Sequence, residues 1–161
     1  MNDKKSEIDL EIHEKLAKNF YNKTWEYLDK GDRTPEEDDA MVDCAHASRY
    51  HWREVIANGK GGPVNHARGD WIISRVYSVL KKPDLAIDYG EKSLRMCQEN
   101  DITGFDLGYG YEALARAYAV AGKKSEYEKY LKQANEAAEK IEKKEDKEWF
   151  LKDLETIEFQ K

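Results

Sequence analysis

The sequence predicts an all-α fold: an α-α superhelix, or solenoid, of about three helical hairpins closed by a C-terminal capping helix. Three observations carry this. One hairpin is written twice between Asn65 and Ala138. At an offset of 41 residues Gly69 pairs with Gly110, Ile73 with Leu114, Arg75 with Arg116, Tyr77 with Tyr118, Val79 with Val120 and Tyr89 with Tyr130. Apolar residues recur at helical spacing along the chain, and no stretch alternates as a strand would. Charged residues make up 37% of the chain and are interspersed in sign, as on long solvated helices with many i,i+4 pairs. Hairpins of this size cannot bury their apolar faces singly and must stack.

The 161 residues, 40% of them hydrophobic, are enough for one domain with a core, so a single domain over 1–161 is expected. The net charge of −6 argues against general affinity for nucleic acid or anionic membranes. No stretch is apolar for long enough to span a bilayer, and the residues from Met1 to Glu7 are too polar to open a signal peptide. A cytoplasmic protein is therefore expected. Cys44 and Cys97 sit inside amphipathic helical patterns and read as reduced core thiols.

The first helical pair is expected over 6–58. Ile8, Ile12, Leu16, Phe20 and Tyr27 form a stripe that starts at Ser6 or Glu7, Trp25 and Leu28 widen it, and Gly31 ends it. Thr34, Pro35 and Glu37 then spell a capping box with proline at the first helical position. The helix they open carries Met41, Cys44, Ala45, Ser48, Trp52 and Val55, where small residues admit a close neighbour. Gly59, Lys60, Gly61 and Gly62 break it. This loop lacks phosphate-loop spacing and reads as a connector. Pro63 opens the second pair, 63–100, with Pro83 at its second helix, where Leu85, Ala86, Tyr89, Ser93, Leu94 and Cys97 form the stripe. A third pair spans 104–143, with Tyr127, Tyr130, Leu131, Ala134, Ala138 and Ile141 on its second helix. A last helix over 145–158 sets Trp149, Phe150, Leu154 and Ile157 on one side to cover the open end.

The repeat resembles the tetratricopeptide repeat. Ile73, Ser74, Tyr77, Ala86 and Ser93 match its pattern in one copy; Leu114, Ala115, Tyr118, Gly122, Tyr127 and Ala134 match it in the other. Tyr127 stands where the family has a small residue, Lys81 stands where the other copy has Gly122, and the offset exceeds the family's usual repeat of about 34 residues. The whole chain also resembles a group of bacterial tetratricopeptide-like proteins through Cys44 to Ser48, His51-Trp52 and Asn65 to Gly69. That likeness implies a fold and no chemistry.

In such solenoids the first helices of successive hairpins line the concave face. Arg68, Trp71 and Arg75 share one strip of the third helix, and Tyr109, Glu112 and Arg116 share the same strip of the fifth. Stacking sets Arg75 beside Arg116, and two guanidinium groups so placed need an acid, either Glu112 or a carboxylate on a partner. The leading expectation is a non-enzymatic scaffold that binds a protein or peptide with an acidic group in this groove. The competing reading of Glu112 and Arg116 is an ordinary surface i,i+4 pair. Two alternatives stand beside the scaffold: a self-associating structural module, and a small-ligand sensor or enzyme built on His46, His51, Asn65 and Arg68. No metal, cofactor or catalytic set is expected: His46 and His51 are five apart and lack the i,i+4 spacing of a metal pair. Trp25, Trp52 and Trp149 read as core.

Overall fold

The computed structural model describes residues 9–160. Among them are seven α-helices and no strand: α1 (Leu10–Leu28), α2 (Pro35–Ala57), α3 (Pro63–Val79), α4 (Pro83–Glu99), α5 (Phe105–Val120), α6 (Lys124–Ala138) and α7 (Lys144–Glu155). The expected start of the first helix at Ser6 or Glu7, and Ile8 with it, lies outside the described residues. The chain forms two compact units, Met1–Gly62 and Pro63–Lys161. The first holds the α1–α2 pair, and the second holds α3 to α7 packed as adjacent hairpins with α7 against α5 and α6.

Local chemistry sets the helix ends of the first unit. Asp9 caps α1 by accepting the Glu11 N–H at 3.0 Å. At α2 the capping box is complete: the Glu37 N–H donates to Thr34 Oγ1 at 3.2 Å and the Thr34 N–H donates to Glu37 Oε2 at 2.9 Å. Between the helices, Ser48 Oγ donates to the Ala17 carbonyl at 2.8 Å. The buried line of α1 is His13, Ala17 and Thr24, one position round from the expected stripe, and Ile12 is exposed. A line of small residues lets α2 approach, which leaves Leu16, Phe20 and Tyr27 half-buried at its sides.

The second unit carries the repeat. Tyr77 packs on Tyr89 with ring centroids 6.0 Å apart, and the equivalent Tyr118 packs on Tyr130 at 5.6 Å. Both first helices end in the same left-handed turn, at Lys81 (φ 54°) and Gly122 (φ 68°). The following amide then reaches back to a tyrosine carbonyl, Lys82 to Tyr77 at 2.9 Å and Lys123 to Tyr118 at 3.0 Å. Lys81 thus adopts the conformation that its counterpart takes as glycine. Gly110 is needed for close packing, since a Cβ there would lie 3.1 Å from Leu94 Cα. Leu85 is exposed, whereas Ile141 and Ile157 are buried just beyond the ends of α6 and α7. Tyr127, out of place in a small-residue position, lies against Phe159 with centroids 5.4 Å apart.

Candidate functional site

The repeat runs one step further than two copies. Another 41 residues along the chain, Tyr109 falls on Phe150, Glu112 on Asp153 and Ala113 on Leu154, so α7 stands in register with the first helices α3 and α5. Its docking surface is built for it. Phe150 is fully buried over Gly108, where a Cβ would lie 3.0 Å from the ring, and Tyr109 meets the Phe150 ring edge-on at 4.9 Å. Tyr109 also meets Trp71 at 5.0 Å and Phe105 at 4.8 Å in the same T-shaped geometry, contacts worth about 0.5–1.5 kcal/mol each beyond their burial.

The predicted strip converges on one carboxylate. Glu112 is 0% exposed and accepts three hydrogen bonds: from Trp71 Nε1 at 2.8 Å, from Arg75 Nη1 at 3.0 Å and from Arg116 Nε at 2.6 Å. Both arginines then reach α7. Arg75 Nη2 donates to Asp153 Oδ1 at 3.2 Å. Arg116 Nη2 donates to the Asp153 carbonyl at 3.1 Å and to Thr156 Oγ1 at 2.9 Å, at the C-terminus of α7 where the helix dipole favours a cation. Tyr109 donates its hydroxyl to Asp153. Arg75, Arg116, Glu112 and Asp153 therefore make a cluster with two charges of each sign, closed over by α7.

Burial alone would push the Glu112 carboxyl up, but Arg116, Arg75 and the Trp71 N–H outweigh it and hold the group below its ordinary value of 4.5. Glu112 is thus an ionised, fully satisfied anchor. Burial, and then the neighbouring Asp153, push the Tyr109 hydroxyl well up, which keeps it a neutral donor. The surface i,i+4 reading of Glu112 and Arg116 fails because Glu112 is fully buried at the seam between α3 and α5 and Arg116 is largely covered. Arg68 stands apart from the cluster, in a bidentate pair with Asp106 at 2.6 and 3.1 Å on the surface.

The second set of candidates is divided between the two compact units. His46 and His51 lie on α2, half-buried, while Asn65 and Arg68 lie on α3. His51 pairs with His13, a residue that helical spacing alone passes over: their Nδ1 atoms are 2.8 Å apart. Lys60 of the glycine loop pairs with Glu14, whose carboxyl is held down to about 2 by Lys18 and Lys60. No group of three or more His, Cys, Asp or Glu among the described residues is placed to hold a metal ion. Burial, then Asp106, push the Cys97 thiol up to about 11, so it packs as an inert core group.

Two tryptophans exchange the roles that spacing suggests. Trp71, the expected contact residue, is 7% exposed and bonded inside, whereas Trp149, expected in the core, is 70% exposed on α7. Trp149 occupies the register position held by Ala67 and Gly108 in the earlier copies, both buried. Asp153, Thr156 and Trp149 were all within reach of the 41-residue offset carried past α6. No protein-family model, curated protein or solved structure matches the chain.

Proposed function

We propose that the chain is a non-enzymatic protein-interaction module that receives a helical segment of a partner on the outer face of α7, with Trp149 as the anchor. The exposure of Trp149 carries this reading. An indole projects into solvent from a helix that is otherwise well docked, at the register position where Gly108 of the preceding copy seats the ring of the next helix. Aromatic anchors rimmed by polar groups dominate the energetics of protein contacts, and exposed Glu145, Glu148 and Lys152 supply such a rim. The non-enzymatic part of the reading rests on the closed cluster, whose groups are occupied in holding helices together.

An acidic partner segment on Arg75 and Arg116 is a second reading, favoured by one observation: α7 already docks there through Asp153 and its C-terminal carbonyls. A partner taking that place has to displace the buried Phe150, Leu154 and Ile157. The outer face needs no such displacement.

The test places a photo-crosslinking phenylalanine analogue at the exposed position 152 of the full chain in the source cell, once with Trp149 intact and once with Trp149→Ala. As a change at an exposed site, the alanine should move stability by no more than about 0.5 kcal/mol and abolish capture of the partner. A crosslinked species of twice the chain mass identifies a second copy as the occupant. Unchanged capture by the alanine variant sinks the α7 reading, and loss of capture only on Arg75→Ala would move the site to the strip.

A further inference from the structure

The α1–α2 seam is closed by an imidazole pair with a particular proton count. His13 Nδ1 and His51 Nδ1 are 2.8 Å apart, and His13 is buried. At that distance one nitrogen carries a hydrogen and the other offers a lone pair. One added proton is tolerated, since an imidazolium Nδ1–H still donates to a neutral ring. Two added protons put a hydrogen on each nitrogen and a charge on each ring, and the contact can no longer be made. We propose that His13 and His51 form an acid-sensitive latch between α1 and α2, closed while at least one ring is neutral and opened when both are protonated.

The surroundings favour opening over accommodation. His51 stacks on Phe20 of α1, with ring planes 5° apart, and meets Tyr50 of α2 edge-on at 5.3 Å; His13 lies 6.3 Å from Tyr50. These rings offer no anion to a second imidazolium. Of the carboxylates nearby, Glu54 on α2 acts on His51. Glu14 on α1, next to His13 in the chain, is held by Lys18 and Lys60. Burial, and then the His13 charge, outweigh Glu54 and hold His51 below the ordinary imidazole value of 6.5. His51 therefore takes its proton less readily than an ordinary imidazole, and the hairpin yields when that proton arrives. Across the same seam, the buried Ser48 hydroxyl on the Ala17 carbonyl would part with it.

The experiment follows imidazole nitrogen resonances and amide hydrogen exchange of the full chain from pH 7.5 to 4.5, with protection referred to the intrinsic rate at each pH. The two rings should titrate as a coupled pair, each sensing both protonation steps. Protection of α1 and α2 amides should fall by about tenfold, the scale of losing one hydrogen bond across the seam. His51→Asn supplies an amide near the Nδ1 position that does not titrate, so in it the fall should vanish above pH 5.5. A fall of equal size in His51→Asn overturns the latch, and so does a wild-type pair that titrates in two independent steps without loss of protection. If His51→Asn does not fold, His13→Asn replaces it, and the wild-type coupling decides if neither folds.

Discussion

The two compact units of this chain hold their helices together by opposite means. In the α1–α2 unit both helices start at a side-chain cap, Asp9 and Thr34, and the polar contacts across the seam include a pair of imidazoles and the Ser48 hydroxyl on the Ala17 carbonyl. In the α3–α7 unit, α4, α5, α6 and α7 begin with no side-chain cap, and the seam is closed by two arginines, a glutamate and an aspartate. In a hairpin outside the repeat, the helix ends and the seam between the two helices supply the order described here. A repeat can spend residues on the contacts between copies, because stacking fixes each helix from both sides. The difference extends to protons: guanidinium groups stay charged throughout the physiological range, whereas imidazoles change charge within it.

The largest effect should come from Glu112. Replacing it by alanine leaves Arg75, Arg116 and the Trp71 N–H without their common acceptor in a dry seam, and breaking a buried ion pair in this way costs about 3–5 kcal/mol. Chemical denaturation of Glu112→Ala should show that loss. It should also show exchange protection falling in α3, α5 and α7 while α1 and α2 keep theirs. Glu112→Gln retains an acceptor for Trp71 and should lose less. A loss under about 1 kcal/mol in Glu112→Ala would mean that the cluster is dispensable and that apolar stacking alone orders the second unit.

Acid should separate the units in a set order. His51 is held below 6.5 in the folded chain. Its neutral form is therefore favoured by folding, and that contribution is complete above 6.5 and lost as pH falls below it. Glu112 is held below 4.5. Its ionised form is favoured by folding, and that contribution is complete above 4.5 and lost only as pH falls through its folded value. Exchange protection followed downward from pH 7 should thus fall first in α1–α2 and later in α3–α7. Simultaneous loss would show that the two seams are not energetically distinct.

How much of this was legible in the sequence follows the same division. In the second unit a fixed offset revealed both copies, the tyrosine pairs and the strip of Arg75, Glu112 and Arg116. Its continuation onto Phe150 and Asp153 was equally available, but α7 reads as a short amphipathic helix because it matches the earlier copies in chemistry and seldom in identity. The acid that the arginines required was present in the chain, and spacing on one helix could not show that α7 closes over it. Trp71 and Trp149 both fall at the edge of an apolar stripe, where 100° per residue leaves the choice between core and surface to the neighbouring helix. In the first unit no repeat fixes the register of α1 against α2. Ile12 therefore reads as core, and His13, which pairs across 38 residues, leaves no signal on its own helix.

The smallest effect tests the capping half of the comparison. Thr34→Ala removes the hydroxyl that accepts the Glu37 N–H and leaves one orphan donor in the first turn of α2, a loss of about 1 kcal/mol. That loss should appear as a lower unfolding midpoint for α1–α2 alone. Lys82 and Lys123, at the same position before α4 and α6, make no side-chain cap bond, so alanine at either should leave the second unit's midpoint unmoved. If Lys82→Ala destabilised its unit as much as Thr34→Ala does the other, helix starts in the repeat would matter as they do in α1–α2. Stacking would then have to share its role with local structure.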